Sequence, residues 1–131
     1  MPSKHFSKEL CRAMPYKISA RLVIKNEDPE IPGVFGHGVV LLLEGVARQN
    51  SLNKAAKSMG MAYSKAWRIV KEAEEQLGCQ LLDRKGAHGS TLTPEGERAV
   101  AAYNELQEKI AAVIATEGPR LMAGFGDGET R

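Results

Sequence analysis

The feature that most constrains this sequence is a pair of amphipathic segments joined by a tight glycine turn. Ser51 is a residue type favoured at a helix N-cap, and the apolar spacing after it predicts a short helix over 52–59. Gly60 suits the left-handed position that ends such a helix. A second helical period covers 63–77 and stops at Gly78. The residues expected to face the core are Leu52, Ala55, Ala56, Met59, Ala66, Ile69, Val70, Ala73 and Leu77.

A short hairpin is predicted directly after this pair. Residues 80–84 and 90–93 are strand-like, and the segment between them contains two glycines, which favours a hairpin tip. Two helices joined by a tight turn and followed by such a hairpin are typical of a winged helix-turn-helix. We therefore predict an α+β, mostly helical fold, with residues 84–91 as a two-stranded wing.

The residues before the pair divide into three predicted parts. Residues 1–15 show no sustained period and are expected to form a mobile arm. Residues 16–25 alternate between apolar and polar side chains, which predicts a half-buried strand. Residues 26–38 carry two prolines and three glycines and are predicted to be a loop. The helical period that follows, ending near Asn50, places on one face Val39, Leu42, Leu43 and Val46.

The last predicted helix begins at Thr93 and Pro94, which suit the N-cap and the first helical position. It is expected to run to about residue 116 and to end before Gly118 and Pro119. The predicted domain is thus 16–93, the helix 94–117 and a flexible tail 118–131. The apolar residues of the helix repeat at heptad spacing, which favours a dimer interface, although the core of a single chain would also absorb them. They are Ala99, Tyr103, Leu106, Ile110 and Val113.

Composition limits the remaining classes of function. The 131 residues suit one ordinary domain, and the longest aliphatic run, at 39–43, is far too short to span a bilayer. No signal peptide is readable, so a cytoplasmic location is expected. The two cysteines and three histidines lack the spacing of a metal site, and no nucleophile lies beside a base, so we expect neither a metal, a cofactor nor an enzyme.

Charge is distributed unevenly along the chain. Residues 1–86 hold 14 Lys and Arg against 9 Asp and Glu, whereas residues 87–131 hold 4 against 7. A basic body suits an anionic partner. In this fold the second helix of the pair lies in the DNA major groove and the wing reaches the backbone or the minor groove. The candidate DNA-binding residues are Lys54, Lys57, Tyr63, Ser64, Lys65, Trp67, Arg68, Lys71, Arg84 and Lys85.

Each candidate also has a simpler interpretation. Trp67 is either a base contact or a partly buried packing residue, since tryptophan is usually well buried. Tyr63 is either a DNA contact or a residue that leans on the turn. The lysines are equally compatible with ordinary solvated charge, and His88 is expected to be a loop residue. DNA binding is favoured because the cations attach to elements that share one face in this fold.

Four stretches of the sequence resemble a known family. These are FGHG at 35–38, LLE at 42–44, AAKSMGMAYSKAW at 55–67 and LTPEG at 92–96. Together they resemble the DNA-binding domain of ModE-type molybdate-responsive transcriptional regulators and, more distantly, the N-terminal domain of LysR-type regulators. The resemblance covers roughly residues 16–115.

The resemblance implies a homodimeric repressor or activator that binds a palindromic DNA site, with its dimer helices at the C-terminal end. The sequence departs from the family at Ala62, where the family has a serine that caps the recognition helix. It also lacks a match to the oxyanion-binding domain of the family, so we expect no molybdate or other oxyanion partner. An alternative function is a winged-helix interaction or dimerisation module that partners another regulator without binding DNA.

Overall fold

The computed structural model describes residues 16–85 and 89–125. The predicted arm over 1–15, the wing tip at 86–88 and residues 126–131 of the predicted tail lie outside the described residues. The described residues form two compact units, one of which holds residues 21–106, whereas the other combines 16–20 with 107–125. The elements, in chain order, are α1 His37–Gln49, α2 Leu52–Ser58, α3 Tyr63–Leu77, β1 Leu82–Arg84, β2 Ser90–Leu92 and α4 Pro94–Leu121.

The core of the 21–106 unit lies between α1, α2 and α3. The predicted apolar faces of α1 and α2 are buried, with the exception of Met59, which is 36% exposed because it follows the last turn of α2. Gly45 permits the close crossing of α1 and α2, because a Cβ there would lie 2.8 Å from the Cβ of Ala55. In α3, Ile69 and Leu77 are only half-buried at the margin of the core.

One polar side chain in this core escaped the sequence prediction. Gln76 is 3% exposed on the inner face of α3. Its Nε2 donates to the carbonyls of residues 31–33 at 2.8 to 2.9 Å, and its Oε1 accepts from the backbone N–H of Asn26. Buried polar groups are tolerated when they are hydrogen-bonded in this way. Gln76 therefore fixes the loop before α1 against α3.

Side-chain caps begin two of the helices as predicted. The Ser51 hydroxyl accepts from the N–H of Lys54 at 3.0 Å, and the Thr93 hydroxyl accepts from the N–H of Gly96 at 2.9 Å. The N-cap of α3 is Ala62, which has extended backbone and no side-chain hydrogen bond. The helix that carries most of the candidate site thus begins without a side-chain cap.

The strand predicted over residues 16–25 is wrong. Residues 16–23 form no strand, and Ile24 makes a single antiparallel bridge with Phe35. Their backbone groups exchange two hydrogen bonds of 2.9 Å. A strand requires a partner along its whole length, and within residues 21–106 this partner is limited to one residue.

The last helix also differs from its predicted end. Helix α4 continues through Gly118 and Pro119 to Leu121, so the predicted tail begins with helical residues. A proline in the last turn removes only one backbone hydrogen bond. Gly118 serves close packing within its unit, because a Cβ there would lie 2.8 Å from Cδ1 of Ile18. Within the described ranges, no helix is both long enough and apolar enough to cross a membrane.

Candidate nucleic-acid interface

Helix α3 has one face in the core and a polar face outside. Ala66, Val70 and Ala73 are fully buried. Because successive residues turn by about 100°, the side chains between them point away from the core. The exposed residues of this face are Tyr63, Ser64, Lys65, Arg68 and Lys71, and Trp67 is half-buried.

The wing is held at its base by the end of α1. Leu82 pairs with Leu92 and Arg84 with Ser90, and the N–H of Ser90 donates to the Asn50 carbonyl at 3.1 Å. The approach is so close that a Cβ on Gly89 would overlap this carbonyl oxygen. The start of the wing therefore has a defined position relative to the helices.

Helix α3 is tied to the first strand by a carboxylate. Oε2 of Glu74 accepts from the N–H groups of Leu81 and Leu82 at 2.8 and 3.2 Å. No local signal in the sequence marks these partners of Glu74. This contact adds a second anchor for the wing.

An open depression forms where the starts of α2 and α3 meet the wing. Its lining includes Asn53, a polar residue of the first turn of α2 that the sequence analysis did not select. The signal that identifies it is its position two residues after the N-cap Ser51. Two of the predicted residues, Tyr63 and Arg84, lie together here. The described residues that line it are Ser51, Leu52, Asn53, Tyr63, Arg84, Gly89 and Ser90.

Trp67 lies between the core and two cations. One side of the residue packs against the buried cluster. The guanidinium carbon of Arg84 is 4.5 Å from the ring centroid, and Nζ of Lys71 is 5.2 Å from it. Both distances are within the range of cation–π attraction. Trp67 is thus partly buried and packed against the core.

Three of the candidate cations have acidic neighbours. Arg68 lies 3.5 Å from Glu72, Lys71 lies 3.3 Å from Glu74, and Lys85 lies 3.2 Å from Asp83. The other four have no acidic partner among residues 16–85 and 89–125. They are Lys54 and Lys57 on α2, Lys65 on α3, and Arg84 on the wing. An anionic ligand that binds these four cations does not have to displace a carboxylate of the described residues.

The residues predicted for the dimer seam divide into two groups. Tyr103 is buried in its own chain, where its hydroxyl donates to the Leu22 carbonyl at 2.8 Å and its ring packs edge-on against Phe35. Ala99 is half-buried against the same core. In contrast, Leu106 and Val113 are 45% and 60% exposed, and Ile110 is half-buried. The buried Tyr103 ring is not available to a second copy.

Within the described portion of the chain, no group of three or more His, Cys, Asp or Glu is placed to hold a metal ion. Cys79 is a half-buried free thiol. Cys11, His5 and His88 lie outside the described residues.

The helix pair, the hairpin and the exposed face of α3 together define a winged helix-turn-helix domain, as predicted. Residues 40–97 match the family model described as "Bacterial regulatory helix-turn-helix protein, lysR family". This part of the chain is therefore similar to the helix-turn-helix domain of LysR-type regulators.

Curated relatives confirm the resemblance to ModE-type regulators. The chain is 30% identical over 98 residues to the molybdenum transport protein ModE of Azotobacter vinelandii, an alignment that covers 72% of this chain and 36% of ModE. It is 30% identical over 81 residues to the molybdenum-pterin-binding protein MopB of Rhodobacter capsulatus, which covers 59% and 30%. The chain thus spans about a third of the length of these relatives.

Solved structures show the same fold. A complex of the BenM DNA-binding domain with benA site 1 DNA matches at a TM-score of 0.50 and 25% identity, covering 62% of this chain and 93% of that domain. Vibrio fischeri DarR in complex with DNA matches at a TM-score of 0.53 and 22% identity, covering 66% of this chain and 29% of DarR.

Proposed function

We propose that this chain is a sequence-specific DNA-binding transcriptional regulator that acts as a homodimer on a palindromic site and has no enzymatic activity. Helix α3 enters the major groove, and residues 84–91 act as the wing. The observation that carries the proposal is the set of four cations without acidic partners on α2, α3 and the wing. A relative from Escherichia coli is named "DNA-binding transcriptional dual regulator ModE", and the BenM domain is bound to DNA in its solved structure; both support the same conclusion.

The two ends of α3 have different electrostatic roles. Tyr63, Ser64 and Lys65 are exposed at its start, where a recognition helix presents side chains to base edges. About one turn further along the helix, Arg68 is paired with Glu72. An exposed pair of this kind contributes at most about 1 kcal/mol, so Arg68 can exchange its carboxylate for a phosphate at little cost. The start of the helix is the part that reads sequence in this proposal.

The cations on α2 and the wing flank this helix. Lys54 and Lys57 are exposed on α2 and serve as phosphate contacts, which set position but carry no sequence information. Arg84 extends the same role to the wing. With Arg68 as the fourth, each protomer makes about four phosphate contacts and the dimer about eight, which corresponds to roughly a 10⁴-fold loss of affinity between 50 and 200 mM salt.

The test is fluorescence anisotropy with two labelled duplexes at several salt concentrations. One duplex is selected by the protein from a randomised library, and the other has the same composition in scrambled order. We expect tighter binding to the selected duplex, and we expect the Lys65→Ala/Arg68→Ala double variant to weaken binding to both duplexes. Its matched control is Lys25→Ala/Arg98→Ala, which removes two exposed cations outside α2, α3 and the wing.

Equal losses of DNA affinity in the two double variants would show that the affinity depends only on the net charge of the protein. Weak binding by the wild type, with no preference between duplexes, would instead support an interaction module that does not read DNA.

The homodimer rests on the exposed residues of α4. Val113 is 60% exposed, so its replacement by aspartate removes no core contact. We expect Val113→Asp to shift the protein from dimer to monomer in sedimentation velocity experiments, because a charge buried in an apolar interface is costly. Ala112→Asp, at the neighbouring exposed position, is the control. An unchanged dimer in the Val113 variant would exclude this residue from the interface.

A further inference from the structure

We propose that Trp67 is a positioning residue that holds the Arg84 guanidinium of the wing in place for a DNA phosphate, and that it does not itself read a base. This inference rests on the proposed function, because it concerns how the wing binds DNA. It assigns a specific role to the single tryptophan of the chain.

The contact that carries the inference joins two separate elements. The Arg84 guanidinium carbon lies 4.5 Å from the centroid of the Trp67 ring. Arg84 is the last residue of β1, whereas Trp67 lies in the second turn of α3. Packing of the ring against the core restricts its motion. The ring is therefore a fixed surface on α3 against which a long, exposed wing side chain is held.

Stacking leaves the hydrogen-bonding capacity of Arg84 intact. The guanidinium group has five N–H donors in its plane, and an aromatic ring contacts its face. Arg84 has no carboxylate partner within residues 16–85 and 89–125. It also lines the depression between the starts of α2 and α3 and the wing. These N–H groups are therefore free for a bidentate contact with a phosphate at that depression.

The neighbouring cations do not share this arrangement. Lys71 lies 5.2 Å from the same ring centroid, but its ammonium is 3.3 Å from the Glu74 carboxylate, which competes with an incoming phosphate. Lys85 is the next residue after Arg84 and is paired with Asp83 at 3.2 Å. Arg84 is therefore the cation whose position depends on Trp67 and whose charge is available.

The arrangement also has an energetic consequence for binding. A flexible arginine loses side-chain entropy when it docks on a phosphate. An arginine that is already stacked has lost part of that freedom in the unbound protein. Loss of the ring should therefore weaken binding only through Arg84, and by the same factor on any duplex sequence.

The experiment is a double-mutant cycle on DNA affinity, measured with the selected duplex and the scrambled duplex at several salt concentrations. We expect Arg84→Ala to weaken binding about tenfold and Trp67→Leu to weaken it about threefold. In the Arg84→Ala background, Trp67→Leu should have no further effect. Trp67→Phe, which retains an aromatic face, should recover most of the affinity, and the ratio of the two duplex affinities should remain unchanged.

Two further measurements separate positioning from a merely structural role. The slope of log affinity against log salt should fall by about two phosphate contacts in Arg84→Ala, one for each protomer of the dimer, whereas a loss of folding would appear in circular dichroism melts. In the free protein, Arg84→Ala should change the emission of the single tryptophan, and Lys85→Ala should leave it unchanged.

Several results would overturn the inference. Additive losses in the cycle would show that Trp67 and Arg84 act independently. A selective loss of affinity for the selected duplex in Trp67→Leu would make Trp67 a base-reading residue. If Trp67→Leu loses affinity only in proportion to a loss of folded protein, its role is structural. No binding of either duplex by the wild type would overturn the proposed function together with this inference, whereas the other results leave the proposed function standing.

Discussion

Replacing Ala62 by serine tests whether the recognition helix lacks a stabilising cap. Ala62 is the N-cap of α3, with φ of −65° and ψ of 145°, and its methyl group accepts no hydrogen bond. The corresponding Ser51 at the start of α2 also has extended backbone and accepts from the N–H of Lys54 at 3.0 Å. A serine at position 62 is therefore expected to accept from the N–H of Ser64, because the N–H of Lys65 already donates to the Ala62 carbonyl at 3.1 Å.

The magnitude follows from this comparison. A serine in place of alanine at an N-cap contributes typically about 1 kcal/mol. For a chain of this size, that corresponds to a rise in melting temperature of roughly 4 °C. Because Ala62 is exposed, the hydroxyl has room to adopt the capping rotamer.

Thermal unfolding monitored by circular dichroism measures this shift in melting temperature. A matched control separates the effect of capping from that of helix propensity. Ala102 is exposed within α4, so Ala102→Ser introduces the same hydroxyl without an orphan N–H to satisfy. Helix propensity alone then predicts a loss of about 0.5 kcal/mol. The reasoning is refuted if Ala62→Ser lowers the melting temperature as Ala102→Ser does, because serine would then act only through propensity.

Three further substitutions test the packing and the hydrogen bonding of the 21–106 unit. Gly45→Ala should destabilise the protein by about 1–3 kcal/mol, since the new Cβ would lie 2.8 Å from that of Ala55. The control is Gly38→Ala in the same helix, where a new Cβ would have no atom within 4 Å, and it should stabilise the protein by about 0.5 kcal/mol. If urea unfolding shows the same change in stability for both alanine variants, the close crossing of α1 and α2 is contradicted. Gln76→Leu should cost about 3 kcal/mol, because it leaves the carbonyls of residues 31–33 without their donor. A change in stability below 0.5 kcal/mol would mean that water replaces the amide.

The two helices of the central motif were predictable because their signals are local. The predicted range 63–77 coincides with α3 Tyr63–Leu77, and the predicted 52–59 is one residue longer than α2 Leu52–Ser58. Apolar residues at helical spacing define the buried face, and Gly78 takes the left-handed conformation, with φ of 73°, that ends α3. Each of these signals acts within a few residues.

The candidate site was predictable to the level of its elements but not of its contacts. The sequence identified the cations on α2, α3 and the wing. It did not indicate that Arg68, Lys71 and Lys85 have acidic neighbours while Arg84 lies on Trp67. Such pairings depend on the direction of long side chains, and the contact between Arg84 and Trp67 also depends on how two distant elements meet.

The sequence by itself determined the helix pair, its caps and the following hairpin, because the hydrogen bonds and turns that form them link residues close together in the chain. The tertiary structure alone decided the fates of Tyr103 and Gln76, which find their partners at Leu22 and at residues 31–33. Both residues lie on helices at spacings that several environments would satisfy. A tyrosine at a heptad position packs in a core or across an interface, and the choice depends on which distant carbonyl the folded chain brings to its hydroxyl.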